Sequence, residues 1–225
     1  MILLTGGSGR LGTALRGLMS DLWAPSRREL DITAIKPDLK AKIMGCQLIV
    51  HMAAYTNVNR AEKEDRKLCF QTNVIGTRNL ARFGVPMLYI STDSVFDGET
   101  GLYKESDQPY PRNFYSLSKY LGELEAKDGV ILRCCPKTRP WAHEVACTDR
   151  FFSAQYFDEI ALKIKRAIQI YKILPKIIHV GGPRLSHYEL ALQTRPDVRP
   201  IEIGEYPVYR GKDWSLDCSL WRAME

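Results

Sequence analysis

Residues 2–12 read ILLTGGSGRLG, a short apolar run that passes directly into Gly6, Gly7, Gly9 and Gly12. Residues 1–5 have the makeup of a buried strand, and Leu11, Leu15, Leu18 and Met19 then recur at helical spacing. The glycines therefore sit in a strand–loop–helix unit. Glycine lets a backbone approach a ligand closely. The helix that follows offers unpaired N–H groups and the positive end of its dipole to a pyrophosphate. Gly6, Gly9 and Gly12 are spaced G-x-x-G-x-x-G, unlike the G-x-G-x-x-G of many dinucleotide-binding units. The alternative is a purely structural turn, and the rest of the chain favours the dinucleotide site.

The pattern of this first unit repeats. Residues 22–25 form a weak second strand, ended by Pro25, and residues 34–44 a helix with Pro37 near its start. Residues 47–54 (QLIVHMAA) are a third strand. Two helical segments fill residues 57–83, TNVIGTRNLARFG opening the second and Gly84 closing it. Residues 85–91 are a fourth strand and 92–111 a long loop rich in Asp, Gly and Pro. A helix over 116–127 carries Leu117, Leu121 and Leu124 on one side, and residues 130–133 are a further strand. This alternation predicts an α/β fold with a doubly wound, Rossmann-type parallel sheet. The dinucleotide-binding domain is expected over residues 1–133. From residue 134 the chain turns irregular (CCPKTRPWAHEVACTDRFF), then shows a helix at 159–171, a strand at 176–180 and a helix capped by Ser186 with Glu189 three residues on. The stretch 204–221, GEYPVYRGKDWSLDCSLW, reads as loop. Residues 134–225 are expected to form a small substrate-binding region partly interleaved with the core.

Composition narrows the partners. A chain of 225 residues supports one well-buried core, with room for a small satellite. The net charge of +6 comes from Lys and Arg interleaved with Asp and Glu, so no basic stripe suggests nucleic acid. An anionic small ligand suits such a surface. No apolar run approaches the roughly 18 residues that span a bilayer, and the N-terminus lacks a basic leader segment, so the expectation is a cytoplasmic protein without membrane contact. The six cysteines form no C-x-x-C pair and have no matching histidines, so no metal is expected. The adjacent Cys134 and Cys135 suit a reducing compartment.

Three residues point to carbonyl chemistry. In YSLSK, Tyr115 and Lys119 are four apart and share a helix face. A lysine cation beside a phenol favours the phenolate, which predicts a tyrosine pKa below its usual value of about 10 and a usable proton donor. Thr92 ends the fourth strand, at the end where such sheets bind ligands, and can hydrogen-bond a substrate oxygen as it gains charge. Merely capping the strand end is its alternative role. For the cofactor, the place after the second strand carries Ser26, Arg27 and Arg28 where NAD-binding units carry a carboxylate. A hydroxyl and a guanidinium there suit a 2′-phosphate, so NADPH is expected, with NADH the alternative.

The glycine spacing resembles that of the extended short-chain dehydrogenase/reductases. The phrases AAYTNVNRAE (53–62), NVIGTRNLA (73–81), STDSVFDG (91–98) and YSLSKYLGE (115–123) resemble the dTDP-4-dehydrorhamnose reductase group of that superfamily. The resemblance is strong over residues 1–133 and looser beyond, through TDRFFSAQYFDEIA (148–161) and GKDWSLDCSLW (211–221). It implies a catalytic triad of Thr92, Tyr115 and Lys119. It also implies cofactor contacts from Gly6, Ser8, Gly9, Arg10, Leu11 and Gly12 at the pyrophosphate. Arg10 assists Ser26 and Arg27 at the 2′-phosphate, and Asp31 and Ile32 meet the adenine edge. Ala53, Ala54 and Tyr55 would line the nicotinamide ribose, Asn73 would support the strand ends, and Lys119 would hold the ribose hydroxyls. Asp93, Val95, Phe96 and Arg150 would meet the nucleotide-sugar substrate, and Trp141 is either a stacking surface for its base or a core residue. Ser94 stands where related dehydratases carry Glu, which argues against dehydration. The group's activity is NADPH-dependent reduction of a nucleotide-linked 4-keto-6-deoxy sugar; a homodimer is the candidate assembly, and the sequence leaves the oligomeric state open. An NAD-dependent epimerase and a non-catalytic regulatory subunit are the alternatives within the superfamily.

Overall fold

The computed structural model describes residues 1–205 and 211–225. In chain order the elements are β1 (Ile2–Thr5), α1 (Arg10–Leu18), β2 (Leu22–Trp23), α2 (Lys40–Met44), β3 (Leu48–His51), α3 (Val58–Lys63), α4 (Arg66–Phe70), α5 (Gly76–Ala81), β4 (Met87–Thr92), α6 (Phe114–Glu125) and β5 (Val130–Cys134). There follow β6 (Pro136–Lys137), β7 (Val145–Cys147), β8 (Phe151–Phe152), β9 (Gln155–Tyr156), α7 (Phe157–Gln169), β10 (Ile177–His179), β11 (Leu185–Ser186), α8 (His187–Leu192), β12 (Arg199–Ile201) and α9 (Ser219–Arg222).

Six strands form one parallel sheet in the order β10-β5-β4-β3-β1-β2. Helices cover both faces, so the central strands are apolar on both sides. The strand period of two divides them cleanly. Leu4, Val50, Leu88, Ile90, Leu132 and Ile178 pack under α1 and α7, with Leu15, Ile160 and Ile164 facing them. Leu3, Ile49, Met87, Tyr89 and Ile131 pack on the opposite side with Ile43 and Leu80. A third cluster lies off the sheet and joins Val95, Phe96 and Tyr103 to Phe152, Tyr156, Trp214 and Leu216.

After β1 the chain moves outward to β2, then returns to place β3 on the other side of β1. The carboxyl ends of β1 and β3 therefore flank a topological switch point, where ligands of such sheets bind. The sixth strand, β10, comes from beyond residue 133 and joins the same sheet beside β5.

The elements depart from the sequence expectations in places. The segment 34–44 is helical only from Pro37, first as a 3-10 turn at Pro37–Leu39 and then as α2. The second helix after β3 begins at Arg66, six residues before the TNVIG stretch, and runs through a π turn at Gln71–Ile75 into α5. The helix α7 starts at Phe157, where the Glu159 carboxylate accepts from the Tyr156 N–H at 2.8 Å. The Ser186–Glu189 capping box forms as its spacing predicts. On α6 the buried residues are Ser116, Ser118, Lys119, Gly122 and Glu123, whereas Leu117 and Leu124 are exposed. The leucine stripe thus faces outward, because the inward face has to meet the π turn and the site. The C-terminal stretch includes the short α9, and residues 206–210 of it lie outside the described residues. All six cysteines are buried and none is in a disulfide. Among the described residues no helix is long and apolar enough to cross a membrane.

Candidate active site

A cavity of about 1590 Å³ opens over the carboxyl ends of β1, β3, β4 and β5. One end is the glycine loop. Gly6 has φ +73° and Gly9 N donates to Gly6 O at 3.0 Å, which folds the loop back onto itself. A Cβ on Gly6 would lie 2.6 Å from Ala53 N, and one on Gly12 would lie 2.3 Å from Gly6 O. Both neighbours are backbone and cannot give way, so the cradle requires glycine at these positions. The first turn of α1 then points its free N–H groups at the cavity.

Beneath the loop, His51 is fully buried between two threonines. Thr77 donates its hydroxyl to Asn73 O at 2.7 Å, so at 3.0 Å it accepts from His51 Nε2–H. His51 Nδ1 is then the acceptor for the Thr5 hydroxyl at 2.6 Å, and Thr5 Oγ1 accepts from Ala53 N at 3.3 Å. This chain ties the ends of β1 and β3 together at the cavity floor. It requires a neutral imidazole, and burial lowers the His51 pKa to about 3.

Of the residues expected at the cofactor, Gly6, Ser8, Gly9, Arg10, Leu11, Gly12, Arg27, Asp31, Ile32, Ala53 and Ala54 line the cavity. Three do not. Ser26 offers its backbone N–H to the Glu29 carboxylate at 2.7 Å and lies off the wall. Tyr55 turns its hydroxyl to Asp65 at 2.6 Å. Asn73 is buried behind the wall, where it accepts from Tyr55 N at 2.7 Å, donates to Tyr55 O at 3.1 Å and donates to Ser118 Oγ at 2.8 Å. It holds the loop after β3 against α6, a supporting place.

Thr92, Tyr115 and Lys119 share the cavity wall, on β4 and α6. Thr92 donates its hydroxyl to Asp93 Oδ1 at 3.0 Å and accepts from Ser94 N at 3.2 Å, so it does cap the turn after β4. To polarise a substrate oxygen it must exchange the Asp93 bond. Lys119 donates to Ile90 O at 2.8 Å and lies 4.0 Å over the Tyr89 ring. Burial lowers its pKa to about 8, opposed chiefly by the Glu123 carboxylate. The expected depression of Tyr115 is not found. Burial first, and the Asp93 carboxylate next, push its phenol well above the usual range. The lysine cation is moored to β4 and does not offset them in this state.

Asp93 is 4% exposed, and its Oδ2 accepts no hydrogen bond from a described residue. Burial raises its pKa, against Lys137 and a hydrogen bond with Cys135. Arg150 lines the far end of the cavity with Lys137, Phe152 and Trp214. Its guanidinium lies 4.9 Å from both the Phe152 and the Trp214 ring centroids, and the two rings stack 5.8 Å apart. Lys137 Nζ lies 4.8 Å over Phe152.

The other residues expected at the substrate end lie off the cavity wall. Val95 and Phe96 are core residues off the wall, Phe96 stacking on Tyr103 at 4.3 Å. Trp141 is buried among the C-terminal elements, donating its indole N–H to Val145 O at 3.3 Å. Trp214 and Phe152 are among the wall residues that sequence reasoning did not single out as contacts. Trp214 lies in the GKDWSLDCSLW stretch, which was the available signal.

A glycine cradle at a switch point, facing a Thr–Tyr–Lys wall, defines a dinucleotide-binding protein of the short-chain dehydrogenase/reductase type. The model of the RmlD substrate binding domain matches residues 1–134, and the chain belongs to that family. It is 38% identical to the dTDP-4-dehydrorhamnose reductase of Aggregatibacter actinomycetemcomitans over 150 residues, covering 61% of this chain and 48% of that protein. The chain thus aligns with about half the length of that curated relative. In three dimensions it resembles a hypothetical dTDP-4-dehydrorhamnose reductase from Sulfolobus tokodaii, with 30% identity and a TM-score of 0.83 over 100% of this chain and 94% of that one. It also resembles the Bacillus anthracis dTDP-4-dehydrorhamnose reductase solved in complex with NADP, with 27% identity and a TM-score of 0.82 over 99% and 92%.

Proposed function

We propose that the protein reduces the 4-keto group of a 6-deoxy sugar carried on a nucleoside diphosphate, with NADPH as reductant. The observation that carries this reading is one cavity with a glycine cradle at one end, Tyr115 with Lys119 in the middle, and the Arg150–Phe152–Trp214 cluster at the other. The names of the relatives supply the sugar class, and the NADP complex of the B. anthracis enzyme supports the cofactor.

The residues present fit the dinucleotide. The cradle leaves no room for a Cβ at Gly6 or Gly12, and Arg10 and Arg27 stand on the wall beside Asp31. Arg27 is paired only loosely, at 3.7 Å to Asp31 and with 68% of its own side chain exposed, so its guanidinium is available to a 2′-phosphate. When bound, the nicotinamide supplies the hydride. Tyr115 holds the proton for the sugar oxygen, and its raised pKa keeps that proton on the phenol until charge develops. Thr92 adds a hydroxyl to the same oxygen once it leaves Asp93. Lys119, moored to Ile90 O one helical turn beyond Tyr115 on α6, lines the same cavity and would hold ribose hydroxyls. Lys137 and Arg150 suit the diphosphate, and Phe152 with Trp214 suits the base.

This reading includes a homodimer and a cytoplasmic location. Leu117 and Leu124, two turns apart on α6, leave 39% and 50% of their surface exposed, with Phe70 of the neighbouring α4 at 37%. Six buried cysteines without a disulfide suit a reducing compartment. Leu117→Glu with Leu124→Glu lowers the sedimenting mass if this face joins two copies.

The decisive experiment follows NADPH oxidation with the 4-keto-6-deoxy sugars of dTDP, UDP and GDP. Turnover of one defines the substrate. Activity on none, with NADPH bound, defeats the substrate assignment.

A further inference from the structure

A second set of buried charges lies one helical turn behind the site. Glu123 follows Lys119 by four residues on α6, so both project from the same face. Both are almost completely buried, at 2% and 3% exposure. The Glu123 carboxylate accepts from Arg133 Nε at 2.9 Å, from Arg133 Nη2 at 2.7 Å and from the Ser91 hydroxyl at 2.6 Å. Ser91 precedes Thr92 on β4, and Arg133 is on β5. Arg133 Nη1 reaches His179 Nε2 at 3.4 Å, and His179 Nδ1–H donates to Tyr103 O at 3.0 Å. Tyr103 N in turn donates to Ser215 O at 3.0 Å, next to Trp214.

We propose that Glu123 is a positioning residue for the reaction. Clamped by Arg133 and Ser91, its carboxylate supplies the negative charge that holds the Lys119 ammonium in a water-poor site, and it sets α6 against the strand that ends in Thr92. The geometry supports this on two counts. The carboxylate is held by three donors from two strands, which gives it a fixed place relative to Thr92. It is also the only carboxylate that acts on Lys119 among the described groups around that ammonium. The others are His51 on β3, Cys69 on α4, Cys134 on β5 and, under the ammonium itself, the Tyr89 ring on β4. Neutral thiols and a neutral imidazole give the cation little support, and burial alone drives Lys119 toward its uncharged form.

The proposal rests on the reductase reading only for its activity arm. A buried ion pair can be exchanged for apolar residues of similar volume with little cost in stability, so Glu123→Met with Arg133→Met separates charge from packing. Thermal unfolding and NADPH affinity, by fluorescence energy transfer from tryptophan, are measured from pH 6 to 10. The double variant is expected to unfold within a few degrees of the parent. The pH at which NADPH affinity falls away should move down by about one unit, so that affinity drops about fivefold near pH 8 and roughly tenfold above pH 9. In the activity arm kcat/KM shows the same displacement. A folded double variant with the parental pH dependence overturns the proposal. If the apolar pair does not fold, Glu123→Gln with Arg133→Gln makes the same comparison, and an unmoved limb there overturns it equally. A parent that binds NADPH with this limb but reduces no sugar nucleotide defeats the reductase reading and leaves the role of Glu123 standing.

Discussion

Lys119 donates its ammonium to the main-chain oxygen of Ile90 at 2.8 Å, two residues before Thr92 on the same strand. The lysine is thereby moored to the strand that ends in Thr92. Its burial has a cost that can be measured. Because burial lowers the lysine pKa to about 8 from 10.5, the folded state binds this proton less tightly than the unfolded chain. The penalty is fully present below pH 8 and is relieved as the pH rises toward 10.5. Lys119→Met removes it, so at pH 7 the variant should be more stable than the parent by up to roughly 3 kcal/mol. The gap should close above pH 8. Urea unfolding of both proteins across this range checks the sign.

Tyr115→Phe keeps the ring and removes the phenolic proton proposed for the substrate oxygen. Turnover should fall by about 10³-fold, within the usual range for a lost general acid. NADPH binding should stay within a few-fold, because the cradle is built from other residues. Steady-state kinetics with a fluorescence titration separates the two quantities. Retention of most turnover contradicts the assigned role.

Two tryptophans should behave in opposite ways. Trp214 lines the cavity beside Arg150, whereas Trp141 is packed in the core. Trp141→Ala should destabilise the fold by about 3–5 kcal/mol, as large core truncations do. Trp214→Phe keeps most of the packing but loses the indole bond to Phe96 O at 3.2 Å. It should raise KM for the sugar nucleotide about tenfold with kcat little changed. Unfolding curves and substrate titrations test the pair.

Glycine replacements in the first helical unit give a matched contrast. A Cβ on Gly12 meets backbone at 2.3 Å, while a Cβ on Gly17 has nothing within 4 Å. Gly12→Ala should lose NADPH binding and more than about 2 kcal/mol of stability. Gly17→Ala, within the same helix, should gain up to about 1 kcal/mol. Equal tolerance of both changes contradicts the cradle geometry.

Acid should unfold the protein through two histidines. Burial lowers His51 and His179 to about 3, with Arg133 adding to the effect at His179. Folded histidine binds protons more weakly than unfolded, so this stability is complete above pH 6.5 and is lost as the pH falls toward 3. At pH 4.5 the loss is about 2–3 kcal/mol per histidine. Unfolding free energies from pH 7 to 4 should decline accordingly, and a flat profile contradicts the neutral assignment of the two rings.

Much of this was legible in the amino-acid order. β1, β3, β4 and β5 were readable because a strand buried on both faces is a continuous apolar run. The Tyr115–Lys119 pair was readable because a helix brings residues four apart together whatever surrounds it. The glycine spacing from Gly6 to Gly12 identified the cradle, since only backbone fits against Ala53 and Gly6 there. These are local relations, and the order of residues determines them. The face of α6 that turns inward was not local. Ser116, Ser118 and Gly122 are inside because the π turn around Asn73 packs closely against them, so Leu117 and Leu124 were left outside. The choice of Trp214 over Trp141 for the cavity depends on a hydrogen bond to Phe96, 118 residues away in the chain. The upward shift of Tyr115 likewise depends on burial and on Asp93, which only the packed chain brings to it. The sequence by itself determined the architecture and the catalytic types. The tertiary structure decided which residues face the cavity and what charge each can carry, because burial and long-range contacts set both.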